Sequence, residues 1–380
     1  MHEHKQNQCK RKVKHRKNVM GLIIFCITVG IAFMFAYYQN LRKEISARQK
    51  WLETVLAGEK KWILENQGPE GEIYMNGSKA GDVNPYFACM AALGLLAETK
   101  NCPITETEKK AVGRYLDWHT GILLETDGKM GIYRKESGKL IYKEKADSED
   151  GYLGMYLFLM GKYLEKTEST DLPEYWKKGI SLALKKIQSL MQDGITQVSE
   201  ENTTVYLMDN LEVWKGLYEL EQAGLEDVQA ISEMRNKLQA QIEKIFWDDA
   251  NQRWRIIENS DLYHQKEFYP DGVAQIYPLI YEFPVKEKKK QKILYEQFTE
   301  RFQWQKLTKK RNGFLWAMTG MAAAQMGDIN NLLEMIRNYE AEYCENRKYP
   351  LYTGEAGWIC MECEKLYSLY ERKIKTGFLV

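Results

Sequence analysis

Beyond residue 50 apolar residues recur at helical spacing almost without a break, and the helical segments alternate between two kinds. Segments 48–66, 105–121, 173–191, 226–246, 286–303 and 328–346 combine one apolar stripe with many charges. "TETEKKAVGRYLDW" (Thr105 to Trp118) has six charges and "EYWKKGISLALKKIQSL" (Glu174 to Leu190) has five. Segments 84–99, 147–166, 206–223, 270–283, 312–326 and 353–371 are apolar nearly all round, and "NPYFACMAALGLLA" and "GFLWAMTGMAAAQM" have no charge. A helix with one apolar stripe lies on a surface, whereas one apolar on every side has to be surrounded. The alternation therefore predicts an all-α domain in which six outer helices wrap six inner ones.

The connections alternate as well. From inner to outer segments they are tight: "TKNCPI", "KTESTD", "AGL", "PVK" and "GD". From outer to inner they are mostly long, at 67–83, 122–146, 192–205 and 247–269, and two of them, "KMGIYRKESGKLIYKE" and "WDDANQRWRIIENS", read as small β-hairpins. Short turns make antiparallel helical hairpins, and long loops gathered at one end of a domain are where function concentrates. Because every long loop enters an inner helix at its N-terminus, those N-termini are expected to form a single mouth.

The chain's start is of a different kind. Residues 1–18 carry seven Lys or Arg and precede the uncharged run "VMGLIIFCITVGIAFMFAYY" at 19–38, long enough to cross a bilayer as a helix. Four Lys or Arg follow in Leu41 to Lys50, so the positive-inside rule keeps the tail cytoplasmic and sends the rest outward. A cleaved signal peptide is the rival reading, but the run is longer than a usual signal core and no small-x-small site follows closely. The expected order is thus a basic cytoplasmic tail (1–18), a single-pass signal anchor in the cell membrane (19–38), a linker (39–47) and an extracytoplasmic barrel (48–380).

Outside residues 1–50 there are 43 basic and 51 acidic residues, which excludes a nucleic-acid binder because no basic excess is available for phosphates. Five of the seven cysteines (Cys89, Cys102, Cys344, Cys360 and Cys363) lie in the exported part, too few and of the wrong parity for a disulfide scaffold. The "CMEC" pair sits in a helical pattern, with His119 and His264 as the only exported histidines, so no metal and no cofactor is expected.

Acids, amides and rings crowd the predicted mouth. The inner segments open with "NPY" (Asn84 to Tyr86), "DSEDGY" (Asp147 to Tyr152), "YLMDN" (Tyr206 to Asn210), "YPDGVAQ" (Tyr269 to Gln275), "NGFLW" (Asn312 to Trp316) and "YTGEAGW" (Tyr352 to Trp358). Each acid alone is explained by capping: Asp147 as N-cap, Asp150 in the first turn, both favoured by the helix dipole. Each ring alone is explained by core packing. Capping does not explain why rings accompany the acids at the same helix ends. Carboxylates beside aromatic faces suit a sugar, whose C–H faces pack on rings while its hydroxyls bond to acids. Asp147, Tyr86, Tyr152, Asn210, Trp214, Tyr269, Trp316, Glu355 and Trp358 are the candidate substrate-binding residues.

Six helical hairpins with acids on the inner N-termini resemble the (α/α)6 barrel of the six-hairpin glycosidases over residues 48–371. Two stretches are similar to glycoside hydrolase family 8: "PEGEIYMNG", with Glu70, Gly71 and Tyr74 in the family's E-G-x-x-Y order, and "ADSEDGYLGMYLFL", with Asp147 and Asp150 at the acid-rich helix entry. The resemblance implies Glu70 as general acid, with Glu72 competing, Asp150 gripping the sugar, and a later aspartate, Asp271 or Asp209, as base. A second likeness is to the unsaturated glucuronyl hydrolases, in which "DSED" would be the whole centre and Lys143, Lys145 and Arg311 would hold a uronate.

These readings predict a membrane-anchored glycoside hydrolase of a cell-surface or exported polysaccharide, using two carboxyls in an inverting reaction. A non-catalytic polysaccharide-binding or assembly protein on the same barrel is the alternative. An isomerase or epimerase would want a histidine pair at the mouth, where only His264 is available, and ranks last.

Overall fold

A computed structural model describes residues 2–77, 81–136, 139–169, 172–225, 228–264, 266–307, 311 and 313–376, without the side chains of 2–19, 21, 22, 24 and 376. The chain divides into two compact units, one of Met1–Leu52 with Arg372–Val380 and one of Glu53–Glu371.

The first unit holds residues up to Leu52 of helix α1 (His2–Glu65), which is helical through 39–47, the stretch read from the sequence as a linker. Its described apolar side chains are open: Ile23, Phe25, Ile27, Ile31, Phe33, Phe35 and Tyr37 are each more than half exposed. Among the described residues no helix is long and apolar enough to cross a membrane. Within the run expected to span one, the side chains of Val19, Leu22 and Ile24 lie outside the described residues.

In the second unit the end of α1 is followed by alternating inner and outer helices. The inner ones are α2 (Pro85–Leu95), α4 (Glu149–Thr167), α6 (Leu207–Gln222), α8 (Val273–Ile280), α10 (Thr319–Met326) and α12 (Thr353–Thr376). The outer ones are α3 (Glu106–Glu125), α5 (Glu174–Leu190), α7 (Val228–Phe246), α9 (Lys288–Phe302) and α11 (Ile329–Tyr339). Neighbours around the inner ring are α2 with α4, α4 with α6, α6 with α8 and α8 with α10. The ring closes where α12 meets α10 at Gly320 and α2 at Gly94. This is the architecture of an (α/α)6 barrel.

Small residues let the inner helices approach so closely. A Cβ on Gly216 of α6 would sit 2.3 Å from the Gly154 carbonyl oxygen of α4, and one on Gly357 of α12 would sit 2.1 Å from the Met90 carbonyl oxygen of α2. Outer helices bury one stripe each, such as Val112, Tyr115 and Leu116 on α3 or Leu332, Met335 and Ile336 on α11. A Leu or Ile buried this fully contributes about 1.5–3 kcal/mol. Helix α3 begins with a capping box in which Thr105 and Glu108 satisfy each other's backbone N–H groups.

The ends of α10 and α8 differ from expectation. Helix α10 starts at Thr319 rather than near 312, because the N–H groups of Leu315, Trp316 and Ala317 are satisfied by the Glu355 carboxylate instead of by a helical ladder. Helix α8 is a short regular helix preceded by a wider turn, Phe268–Gly272.

The long loops carry the β-structure. Strands β1 (Asp82–Val83), β2 (Gly131–Glu136) and β3 (Lys139–Lys145) form one antiparallel sheet, with Asp82 opposite Arg134 and a bulge between Ile132 and Tyr133. The expected hairpin at β6 (Trp247–Asp248) and β7 (Arg253–Trp254) is present. A further hairpin, β4 (Met191–Gln192) with β5 (Ile195–Thr196), had no alternating pattern to reveal it.

Further along the inner helices, away from these loops, charges are tied together. Lys215 pairs with Glu219 (2.7 Å) and Glu282 (2.9 Å), Lys365 with Glu282 (2.5 Å) and Lys162 with Glu219 (3.2 Å). The two lysines hold the Glu282 carboxyl down at about 2 despite burial.

Candidate active site

A cavity of about 580 Å³ opens where the inner helices begin, lined by loop residues and by the first turns of those helices. From the sequence-predicted set it brings together Asp147, Asp209, Glu355, Tyr86, Tyr152, Tyr269, Trp316 and Trp358.

The entry to α4 shows how capping and cavity chemistry divide. Ser148, not Asp147, is the N-cap, its hydroxyl accepting from Gly151 N (3.1 Å). Asp147 is therefore released from capping and stands exposed on the cavity wall. Asp150 points the other way. It is fully buried and accepts from Thr196 Oγ1 (2.7 Å), Ser148 Oγ (2.8 Å) and Gly151 N (3.0 Å). Burial pushes its carboxyl up to about 6 in spite of those donors.

Helix α6 supplies two acids one turn apart, Asp209 and Glu212. Asp209 is half-buried on the wall, and loss of water together with the charges of Asp150 and Glu212 holds its carboxyl well above the usual range. Glu212 is buried behind a fan of phenols. The Tyr277 hydroxyl donates to its Oε1 (2.6 Å), the Tyr86 hydroxyl donates to the same oxygen, and Tyr281 reaches it at 3.4 Å. Burial outweighs these donors and pushes its carboxyl up to about 7.

Glu355 stands on α12, three places around the six-membered ring from α6, on the opposing wall. Its Oε1 accepts from Leu315 N (3.1 Å) and Trp316 N (3.1 Å), and its Oε2 from Ala317 N (2.8 Å). Burial nevertheless pushes it up to about 7. Ring pairs share the lining with the acids. Tyr269 and Trp316 are 4.7 Å apart between centroids, Phe87 and Phe314 are stacked at 5.3 Å, and Tyr86 leans on Tyr152 at 5.5 Å. Trp316 holds a positive φ of 62°, and its indole N–H donates to Arg311 O (2.9 Å), which fixes its ring on the wall.

Six sequence-predicted residues lie off the cavity lining, each with a physical reason. Glu70 is exposed on the loop after α1. Glu72 is buried beneath that loop, where it accepts from the Tyr74 hydroxyl (2.7 Å) and Glu70 N (3.0 Å). Asp150 pins β5 to α4 as described. Asp271 accepts from His264 N (2.7 Å) and ties down the segment before α8. Asn210 exchanges bonds with Thr196 N (2.8 Å) and Thr196 O (2.9 Å), locking the β4–β5 hairpin. Trp214 faces α7, stacked on Tyr218 with its N–H on Gln239 Oε1 (3.2 Å).

Sequence reading passed over Glu212 and Tyr277. Both sit one or two turns inside their helices, and the acids were sought only in the stretches that open the inner segments, which for α6 ended at Asn210. The signal was there: an acid three residues after Asp209 shares its helical face.

The cations that a uronate would need are engaged elsewhere. Lys143 bonds Asp82, Lys145 bonds Glu201, and Arg311 lies 4.0 Å over the Phe268 ring. Among the described residues no histidine lines the cavity. His119 is buried in the core, and Cys360 and Cys363 are buried free thiols on α12.

No protein-family model matches the chain, and no curated protein matches it in sequence. Solved structures do match its fold. A wild-type glycosidase aligns with a TM-score of 0.60 at 12% identity, covering 85% of this chain and 99% of that one. A D-mannose isomerase aligns at 0.54 and 11%, covering 84% and 97%. An alpha-amylase from Clostridium perfringens aligns at 0.52 and 12%, covering 83% and 97%. At such identities the likeness establishes the helical-barrel fold and nothing finer.

Proposed function

We propose that the protein is a glycoside hydrolase acting through opposed carboxyls at the mouth of the barrel. The observation that carries this reading is the pairing, across one ring-lined cavity, of Asp209 and Glu212 on α6 with Glu355 on α12. Hydrolysis of a glycosidic bond needs one carboxyl that is protonated near neutrality and one that is ionised, on opposite sides of the sugar. Asp209, raised by burial and by neighbouring acids, is suited to donate a proton to the leaving oxygen. Glu212, one turn on and held by the Tyr86 and Tyr277 hydroxyls, is one of the neighbouring acids that raise Asp209. Glu355, locked by three backbone N–H groups, is suited to orient and activate water on the far face. That division of labour corresponds to inversion, which requires the two reacting carboxyls to be about 6.5–9.5 Å apart. Tyr269, Trp316 and Trp358 would pack against sugar faces, and Asp147 would bond hydroxyls near the opening.

The fold neighbours include a glycosidase and an amylase on the same barrel, which supports the reading. They include an isomerase as well, and the absence of histidine from the cavity lining among the described residues favours hydrolysis over isomerisation. With Glu70 exposed and off the lining, the proposal does not extend to family 8 in particular. A tether is proposed separately: the exposed apolar side chains of α1 and the basic flanks of 19–38 fit a signal anchor holding the barrel outside the cell membrane, near an exported polysaccharide.

The test is turnover on a panel of oligosaccharides by the wild type and by Asp209→Asn, Glu212→Gln and Glu355→Gln, with proton NMR reading the anomer first released. Loss of turnover by at least about a hundredfold with retained ligand binding, and inverted product, supports the reading. Full activity in Asp209→Asn and Glu355→Gln would sink it, and ligand binding with no turnover in the wild type would make the protein a binder.

A further inference from the structure

Thr196 stands between two acceptors with one hydroxyl hydrogen to give. Its Oγ1 lies 2.7 Å from Asp150 Oδ2 and 2.9 Å from Asn210 Oδ1. The Asn210 amide is fixed in its orientation, because Nδ2 donates to Thr196 O (2.9 Å) and Tyr206 O (2.9 Å) while Oδ1 accepts from Thr196 N (2.8 Å). Turning it round would set donor against donor and oxygen against oxygen. All three side chains are fully buried, so bulk water does not serve them.

Only one placement of hydrogens serves every polar atom of this group. With Asp150 ionised, the Thr196 hydroxyl turns to the carboxylate and Asn210 Oδ1 faces a bare oxygen. With Asp150 protonated on Oδ2, that oxygen donates to Thr196 Oγ1 and the Thr196 hydroxyl donates to Asn210 Oδ1. Oδ1 of Asp150 is then the carbonyl oxygen, which suits its two donors, Ser148 Oγ (2.8 Å) and Gly151 N (3.0 Å). The surroundings favour the same form. The titratable groups facing Asp150 from α6 are the carboxyls of Asp209 and Glu212, on which Asp147 also acts, and β5 brings the Thr196 hydroxyl. Asp150 has no ion-pair partner among the described residues, and burial outweighs its donors. The chain joins α4 through Asp150, β5 through Thr196 and α6 through Asn210, the immediate neighbour of Asp209 on the first turn of α6.

We propose that Asp150 is a positioning residue that works through its proton: Oδ2–H donates to Thr196, Thr196 donates to Asn210, and this directed chain holds the turn that presents Asp209 to the cavity. Its effect on turnover rests on the reading of Asp209 as proton donor, whereas the chain of hydrogen bonds does not. A carboxyl raised in the fold tightens the closed state most in acid, and the tightening is lost as pH climbs through the folded value. The α4–β5–α6 junction is therefore firmest at low pH and loosens towards neutrality.

The test is hydrogen exchange of the full-length protein, read by mass spectrometry on the peptide spanning β4 and β5 from about pH 4 to about pH 7 and corrected for the chemical exchange rate. With the Asp150 carboxyl raised from 3.8 to about 6, protection of that peptide in the wild type should fall about a hundredfold over the range. In Asp150→Asn the side-chain Nδ2 donates to Thr196 Oγ1 at every pH, so protection should stay flat at the wild type's acid level. Turnover of the oligosaccharide panel at about pH 5 is the second readout: Asp150→Ala should lose at least about tenfold in kcat with KM nearly unchanged, and Asp150→Asn should restore it. A flat exchange profile in the wild type overturns the proposal, as does protection in Asp150→Asn below the wild type's in acid, or an unchanged kcat in Asp150→Ala. The expected exchange with no turnover of any oligosaccharide by the wild type would leave the proton chain standing and remove the reaction. Turnover with a flat exchange profile would do the reverse.

Discussion

Replacing Glu212 with glutamine should stabilise the protein at alkaline pH and leave it nearly unchanged in acid. In the fold the Glu212 carboxyl is pushed from 4.5 up to about 7, chiefly by burial. A carboxyl raised in the folded state lends stability that is fully present below its unfolded value and is lost as pH rises through the folded value. The window therefore runs from about pH 4.5 to about pH 7. At about 1.4 kcal/mol per pKa unit, the wild type loses about 3 kcal/mol to this one group on going from acid to pH 8. Glutamine has no proton to lose, and its amide oxygen can still accept from the Tyr86 and Tyr277 hydroxyls that now hold Oε1. The assay is chemical denaturation of both proteins at pH 4.5, 6 and 8. The difference in unfolding free energy should widen in favour of Glu212→Gln by about 3 kcal/mol across that range. A difference that is flat with pH would refute the claim that Glu212 is held protonated by its surroundings, and with it the electrostatics assigned to the α6 wall.

Other parts of the molecule make separate predictions. His119 is buried with its Nε2 unpartnered, and burial lowers it to about 3. The unfolded chain therefore takes up a proton that the fold refuses, stability falls as pH drops below about 6.5, and His119→Phe should flatten that acid slope by up to about 4–5 kcal/mol in denaturation curves. Asn210→Ala removes the bonds that lock Thr196, and should cost about 1–3 kcal/mol while speeding hydrogen exchange in the β4–β5 hairpin. Gly216→Val drives side-chain atoms into the Gly154 carbonyl and should lower the unfolding midpoint markedly, whereas the same change at Gly121, where nothing lies within 4 Å, should be neutral or stabilising by a few tenths of a kcal/mol, about the margin by which valine is the better helix former.

The ring architecture was legible because it is written in burial: a helix without charges can only sit inside one with charges, and this holds whatever the local details. The β2–β3 and β6–β7 hairpins were legible from alternation and turn residues. What escaped depended on contacts distant in sequence. Nothing near residue 312 announces that Glu355, some forty positions away, will take up the N–H groups of Leu315 to Ala317 and delay the start of α10. Asp150 and Asp147 are three residues apart and chemically alike, yet Thr196 draws one behind the wall while Ser148 takes over capping and leaves the other free. Asp209 and Asn210, adjacent in sequence, divide the same way. The stretch around Glu70, likened to a family motif, folded into a loop that holds itself together through Glu72 and Tyr74.

The central claim is that Asp209 and Glu355 face a scissile bond across the cavity. The most direct measurement is a crystal structure of Glu355→Gln with an intact oligosaccharide. The account predicts a glycosidic oxygen within hydrogen-bond reach of Asp209, a water between residue 355 and the anomeric carbon, and a sugar ring against Trp316. An oligosaccharide seated against Glu70 or Asp271 instead, with the Asp209 side of the cavity left to solvent, would contradict it.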